Sequence, residues 1–224
     1  MVDKKSLKGV IILLTVTSII MVLLIAGNNS LLSLLSVYIA MIIVSIVVYS
    51  IKDFRENLFG LGKNNLGKSL LFAALFAGGF WLLTRIIPGF AIGTPLVPQS
   101  IGGTIRGIVI VGFAPIIESV FFQSVSYAVL RSFLSKGFSI VGQAVLFSFA
   151  HIAAYVTGFY NYPSFAQGLD AATANISSFI AAFIFAIVGM IILVRPRINN
   201  LAFIIVFHGL LNLIILTTLV VLFG

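Results

Sequence analysis

Seven apolar segments, each long enough to cross the hydrocarbon core of a membrane as a helix, dominate this chain. They cover approximately residues 9–26, 31–51, 69–87, 107–130, 138–158, 176–194 and 201–223. About 20 helical residues span a typical hydrocarbon core. Only 8% of the residues are charged, and the mean hydropathy is +1.24. These values exclude an ordinary soluble domain. They predict an all-α polytopic membrane protein, with residues 1–224 forming a single integral membrane domain.

The positions of the positive charges indicate how the segments cross the membrane. Of the thirteen Lys and Arg residues, all except Arg85 and Arg106 precede the first segment or follow the second, fourth and sixth. Because cytoplasmic loops are enriched in Lys and Arg, we expect a cytoplasmic N-terminus and an outer C-terminus. The net charge of +8 is then a topology signal and does not indicate nucleic-acid binding. The expected location is the plasma membrane, with the lipid bilayer as a partner.

Three ionisable residues lie inside these apolar segments. They are Glu118, His151 and His208, and Asn212 follows His208 by four residues on the same helix face. At a rise of about 1.5 Å per residue, all four lie between about 10 and 20 Å from the cytoplasmic ends of their segments. An unpaired charged group at the membrane centre costs at least about 2.5 kcal/mol. We therefore expect these groups to meet in one polar site enclosed by helices.

A carboxylate with two imidazoles is suited to the activation of water. Glu118 could take a proton from water and pass it to a leaving amine. One histidine could orient the water, while His208 and Asn212 could donate hydrogen bonds to a developing oxyanion. Alternatively, His151 and His208 could hold a zinc ion, although the chain has no HExxH motif. The absence of cysteine excludes thiolate ligands and a cysteine nucleophile. The expected cofactor is thus either none or zinc.

Three short stretches resemble the motifs of the CAAX protease and bacteriocin-processing (CPBP or Abi) family of intramembrane endopeptidases. The stretches are APIIESVFFQ (114–123), FSFAH (147–151) and HGLLN (208–212). The family pattern is EExxxR, FxxxH and HxxxN on successive helices, and it is matched at Glu118, at Phe147 and His151, and at His208 and Asn212. The resemblance covers approximately residues 107–215, whereas the spans within 1–87 are generic. It implies cleavage of a membrane-associated peptide, prenylated or of the leader type, with catalytic roles for Glu118, His151, His208 and Asn212.

Two positions depart from the family pattern. Ser119 replaces the second glutamate and Gln123 replaces the arginine. These residues are four apart, so the family's ion pair on one helix face is replaced by two neutral polar groups. We expect Ser119 and Gln123, together with Phe147, to support the site. The family is often described as metalloproteases, but with one carboxylate left we favour metal-free catalysis by Glu118 over zinc bound by His151 and His208.

Two other functions fit parts of the pattern. A catalytically inactive family member, acting as a membrane scaffold that binds partners, would explain the loss of the second glutamate and the arginine. A proton-coupled transporter could use Glu118 and the histidines as a relay, although no inverted repeat is evident in the sequence. The residues indicate no particular oligomeric state.

Overall fold

Helices account for the regular structure of the part of the chain that the computed structural model describes, which is residues 12, 31–61, 65–86, 112–156, 164–174 and 176–223. No strand occurs among these residues, so the all-α class is confirmed. The helices are α1 (Leu31–Ser50), α2 (Leu66–Ile86), α3 (114–131), α4 (Lys136–Val156), α5 (Phe165–Ala174), α6 (Ile176–Leu193) and α7 (Ala202–Phe223).

Most of these helices coincide with the apolar segments of the sequence. The segments that begin at residues 31, 69, 107, 138, 176 and 201 correspond to α1, α2, α3, α4, α6 and α7. The predicted segment 9–26 lies outside the described residues apart from Ile12. A 3₁₀ helix (Lys52–Asn57) and α5 lie between the predicted segments. Ser164 caps α5, because its hydroxyl accepts a hydrogen bond of 3.3 Å from the Gln167 amide.

Helix α3 changes its hydrogen-bonding pattern along its length. It is α-helical over Ala114–Glu118, π-helical over Ser119–Ser126 and α-helical again over Tyr127–Arg131. Pro115 lies in the first turn, where its missing N–H has no helical partner to lose. π-Helical segments are rare, mostly one turn long, and frequent at functional sites. A π-helix of eight residues directly after Glu118 therefore marks this part of the chain as a candidate functional region.

Length and hydropathy decide whether a helix could span a membrane by itself. Within the described ranges, no single helix is both long and apolar enough to do so. Two neighbouring helical stretches, Ala166–Ala174 and Phe179–Leu193, meet that requirement together, with a bend of 61° between them. Shorter apolar stretches occur in three other helices, at Ser36–Ser50, Leu66–Gly79 and Ala202–Leu213.

The exposed faces of the helices are apolar, whereas several buried positions are polar. On α1 and α4 the exposed side chains recur at helical spacing: Ile39, Ile42, Ile43, Ile46 and Val47 on α1, and Phe138, Val141, Val145 and Phe149 on α4. The buried positions of the same helices include Ser45, Ser139, Gln143 and Ser148. This distribution is the reverse of that on a helix at the surface of a soluble protein.

The chain forms two compact units. The first unit comprises Met1–Leu58 and Val120–Val188. Its core contains Val48 of α1, Phe54 of the 3₁₀ helix, and three residues of α3, namely Val125, Ala128 and Val129. Helix α4 contacts the last turns of α3 and also α5. Gly142 of α4 lies against Leu130, whose Cδ1 would be 3.1 Å from a Cβ at that position.

The second unit comprises Phe59–Ser119 and Gly189–Gly224. Helix α7 contacts both α2 and the Ala114–Glu118 segment of α3. Phe76 of α2 packs edge-on against Phe203 and Phe207 of α7, with ring centroids 6.2 Å and 5.9 Å apart. The loop between α6 and α7 is hydrogen-bonded to residues around the start of α2, which holds the beginning of α7 in place.

We expect a large side chain at Gly189 to disturb the packing of α6 against α7. A Cβ at this position would overlap Cδ1 of Ile204, whereas Gly78 of α2 has open space around the same point. Gly189→Leu should therefore lower the free energy of unfolding by about 1–3 kcal/mol, and the matched change Gly78→Leu should not lower it. Thermal unfolding of the detergent-purified variants, followed by circular dichroism, measures both. Equal melting temperatures for the two variants would contradict the described contact.

Candidate active site

Glu118 and His208 form a close pair within the second unit. Nε2 of His208 lies 3.8 Å from Oε2 of Glu118, and the two side chains are 7% and 16% exposed, respectively. This distance exceeds that of a direct hydrogen bond, but it allows an ion pair or a bridging water. The pair thus places a carboxylate and an imidazole side by side in a largely enclosed position, where each group compensates for the other's desolvation.

The position of His208 depends on how α7 begins and packs. Asn200 is fully buried, and its Oδ1 accepts a hydrogen bond of 2.9 Å from the Ala202 amide. This arrangement satisfies one of the amides that a helix start leaves without a helical partner. His208 lies six residues after Ala202 and directly follows Phe207. The ring of Phe207 is held by contacts with the rings of Phe76 and Phe203. The cap and the aromatic contacts together determine the register and the rotation of α7.

Asn212 lies one turn after His208 on α7, as its spacing predicted. It is partly exposed, whereas His208 is buried. The carboxamide carries both donor and acceptor atoms. A substrate group that reaches His208 could therefore also meet Asn212 on the same face.

His151 lies in the first unit, near the end of α4. Its Nδ1 is 2.8 Å from the carbonyl oxygen of Phe147, one turn earlier. A carbonyl oxygen only accepts hydrogen bonds, so Nδ1 must donate. In the neutral ring the other nitrogen, Nε2, then carries the lone pair. The local structure therefore sets His151 up as an acceptor or a ligand through Nε2. Its approach to Glu118 and His208 stays a prediction.

Phe147 fixes the side of α4 that carries His151. It is 1% exposed, and its ring contacts those of Phe122, His151 and Phe185 at centroid distances of 5.4, 4.7 and 5.9 Å. All four rings belong to the first unit. Edge-to-face contacts of this kind add to the stabilisation from buried area. The Phe of the FxxxH stretch thus supports the histidine directly, through both its ring and its backbone carbonyl.

Ser119 and Gln123 are fully buried. Both lie in the π-helical part of α3, directly after Glu118. A glutamate and an arginine at these two positions would have to form a buried ion pair. Two neutral polar side chains avoid the cost of desolvating such a pair.

The sequence pattern did not reveal a second buried polar set, which belongs to the first unit. Gln143 of α4 is fully buried, and its Nε2 donates a hydrogen bond of 3.1 Å to the Ala186 carbonyl of α6. Tyr49 of α1 shares a hydrogen bond of 3.0 Å with Ser124 of α3. Since amides and hydroxyls commonly join helices in apolar surroundings, these residues link helices together. Gln143 stands one turn before Phe147, and this spacing was the available clue to its buried face.

A metal site needs more ligands than this pair offers. Among the described residues, no group of three or more His, Cys, Asp and Glu side chains is placed to hold a metal ion. A catalytic zinc usually takes three protein ligands. The pair of Glu118 and His208 therefore does not make up a zinc site, and the predicted zinc ligation by His151 and His208 stays a prediction.

A largely enclosed carboxylate beside a buried imidazole gives this helical protein an acid–base pair. A comparison with family profiles matches residues 100–214 to the family described as type II CAAX prenyl endopeptidase Rce1-like. This match covers half of the chain, so the protein belongs to that family, which is a family of membrane-associated proteases. The matched residues include Glu118, His151, His208 and Asn212. No curated protein and no solved structure matches the chain.

We expect Phe147→Ala to lower the free energy of unfolding by about 3–5 kcal/mol, because it removes a fully packed ring. Phe149 offers a matched control on the same helix, since it carries the same ring but is 53% exposed. Phe149→Ala should change stability by about 1 kcal/mol at most. Thermal unfolding in detergent compares the two variants. A loss of stability in Phe149→Ala as large as that in Phe147→Ala would contradict the described packing.

Restoring the family's charges tests the interpretation of Ser119 and Gln123. Ser119→Glu or Gln123→Arg alone would bury an uncompensated charge and should cost about 3–5 kcal/mol. In the double variant the two charges can pair, so the loss should be smaller than the sum of the single losses. The melting temperatures of the three variants measure this coupling. Additive losses would show that the two positions do not interact.

Proposed function

We propose that this protein is an intramembrane endopeptidase that cleaves a membrane-associated peptide. The observation that carries the proposal is the Glu118–His208 pair, 3.8 Å apart and nearly enclosed. The pair lies within the 100–214 match to type II CAAX prenyl endopeptidases. CAAX sequences end proteins that are prenylated on the cysteine. A prenylated C-terminal peptide is therefore the first substrate class to test, with leader-type peptides as the second.

In the proposed mechanism, Glu118 is the general base. Its carboxylate takes a proton from a water molecule as that water attacks the scissile carbonyl carbon, and later gives the proton to the leaving amine. His208 and Asn212 donate hydrogen bonds to the oxyanion that forms on the carbonyl oxygen. Nε2 of His151 accepts a hydrogen bond from the attacking water and orients it. Bringing these groups together in one site requires His151 to face the pair.

No step of this mechanism passes through a metal ion. The proton transfers and the stabilisation of the oxyanion are assigned to the side chains of Glu118, His151, His208 and Asn212. The Glu118–His208 pair supports this assignment, because it places a carboxylate and an imidazole side by side.

The protein is further proposed to be integral to the plasma membrane, with seven spans, a cytoplasmic N-terminus and an outer C-terminus. The exposed apolar faces of α1 and α4 support this proposal, since they suit contact with acyl chains. The Lys and Arg distribution supports the orientation. A protease that acts within this environment can bind the lipid-modified end of a peptide without extracting it into water.

Glu118→Gln is expected to reduce cleavage at least about 100-fold without unfolding the protein, because it removes the general base and preserves the shape of the side chain. The measurement is hydrolysis of a farnesylated C-terminal peptide by the full chain in liposomes, followed by mass spectrometry of the products. Glu56→Gln is the matched control, since Glu56 is exposed in the 3₁₀ helix and lies outside the proposed site. Equal turnover by Glu118→Gln and the wild type would refute the mechanism.

A catalytically inactive scaffold is the second candidate function, and the neutral residues Ser119 and Gln123 favour it. Such a protein would bind a membrane peptide or a partner subunit but would not hydrolyse it. The peptides above distinguish the two functions, because a scaffold would bind them and leave them intact in the wild type as well as in Glu118→Gln. Turnover by the wild type that is lost in Glu118→Gln would exclude the scaffold.

A further inference from the structure

Three exposed positive charges of the second unit lie on two segments that are joined to each other. Lys68, Arg195 and Arg197 are all exposed. Lys68 lies in the first turn of α2, and the two arginines lie in the loop between α6 and α7. All three belong to connections predicted to be cytoplasmic. We refer to these three residues as the basic end.

Hydrogen bonds hold the members of the basic end close to one another. Nδ2 of Asn65 donates to the carbonyl of Pro196, between the two arginines, at 3.2 Å. The hydroxyl of Ser69, next to Lys68, donates to the Ile198 carbonyl at 3.1 Å. Asn65 adopts a left-handed backbone conformation with φ of 61°, which asparagine tolerates better than most residues. Two segments that are far apart in sequence are therefore joined next to the residues that carry these cations.

No carboxylate of the second unit balances this surface. Among the described residues of that unit, Glu118 is the only acidic one, and it is engaged with His208. The first unit differs, because Lys52 is flanked by Asp53 and Glu56 within the same 3₁₀ helix. A general enrichment of cytoplasmic loops in Lys and Arg does not account for this difference. Among the described residues of its own unit, the basic end therefore has no carboxylate beside it, whereas Lys52 has two within its 3₁₀ helix.

We propose that the basic end binds the phosphate of an anionic phospholipid headgroup in the cytoplasmic leaflet. Guanidinium groups bind phosphate oxygens through paired, charge-assisted hydrogen bonds. The two arginines are separated by one residue in a tight loop, where the backbone oxygen of Arg195 accepts hydrogen bonds from Ile198 and Asn199. Lys68 adds a third cation from the adjoining helix. The headgroup would link α2 to the loop that precedes α7, and α7 carries His208.

Native mass spectrometry of the full chain in detergent tests this proposal. The probe is dioctanoyl phosphatidylglycerol, with dioctanoyl phosphatidylcholine and inorganic phosphate as comparisons. Each basic residue near an anionic surface contributes about a five-fold change in affinity. Arg195→Gln combined with Arg197→Gln should therefore weaken phosphatidylglycerol binding on the order of 25-fold. The matched control is Lys52→Gln combined with Lys136→Gln, which removes the same charge from exposed positions of the first unit and should leave binding unchanged.

Several outcomes would overturn the proposal. The first is that phosphatidylcholine binds as well as phosphatidylglycerol. The second is that the two double variants lose the same amount of phosphatidylglycerol binding. The third is that inorganic phosphate or an acidic peptide occupies the basic end and phosphatidylglycerol is not preferred. If the arginine variant does not fold, Lys68→Gln tests the same surface and should weaken phosphatidylglycerol binding about five-fold. Cleavage is not measured in these experiments. A negative result therefore leaves the protease proposal standing, and an inactive protease can still bind the lipid.

Discussion

The close approach of His208 to Glu118 is the interaction on which the functional part of the structure depends. A carboxylate in an enclosed, apolar position needs a partner that can share its charge, and the imidazole at 3.8 Å is that partner. Several features of the second unit serve this approach. They include the capped start of α7, the aromatic contacts between α2 and α7, and the absence of a side chain at Gly189 where α6 meets Ile204. Each of them restricts the rotation of α7 and thereby the direction of one imidazole ring.

In the first unit, ring contacts and a backbone hydrogen bond orient His151. His151 is oriented by the carbonyl of Phe147, and the ring of Phe147 is in turn held by Phe122 and Phe185. Gln143, one turn earlier, joins α4 to the backbone of α6. Buried amides and hydroxyls replace the charged pair as the links between helices, at a lower desolvation cost. The polar residues of this unit therefore serve packing and orientation together.

The sequence was most informative about element type and least informative about irregular backbone. Long apolar runs predicted α1, α2, α4, α6 and α7 to within a few residues, because apolar length is a strong helix signal in such a chain. The i and i+4 spacing of His208 and Asn212 placed them on one face of α7, and the family motifs singled out Glu118. The π-helix of α3 and the short helix α5 were not predicted. Neither has a pattern of residues that differs from that of an ordinary helix or a polar connection. The burial of Gln143 was also missed, although its spacing from Phe147 was a clue to its buried face. Its hydrogen-bond partner, the Ala186 carbonyl, has no signal in the sequence.

The π-helical turn after Glu118 also affects how the motif in α3 should be interpreted. In an α-helix, side chains three and four residues apart share a face, whereas π-helical pairing runs from each residue to the fifth one along. Across Ser119–Ser126 the angular phase of the helix therefore advances more slowly than a helical wheel of 3.6 residues per turn assumes. Every residue from Tyr127 onward is therefore rotated, relative to Glu118, from the direction that a regular α-helix would give it. The same residue types at the same spacing thus form one surface on an α-helix and a different surface on a helix that contains a π-helical segment.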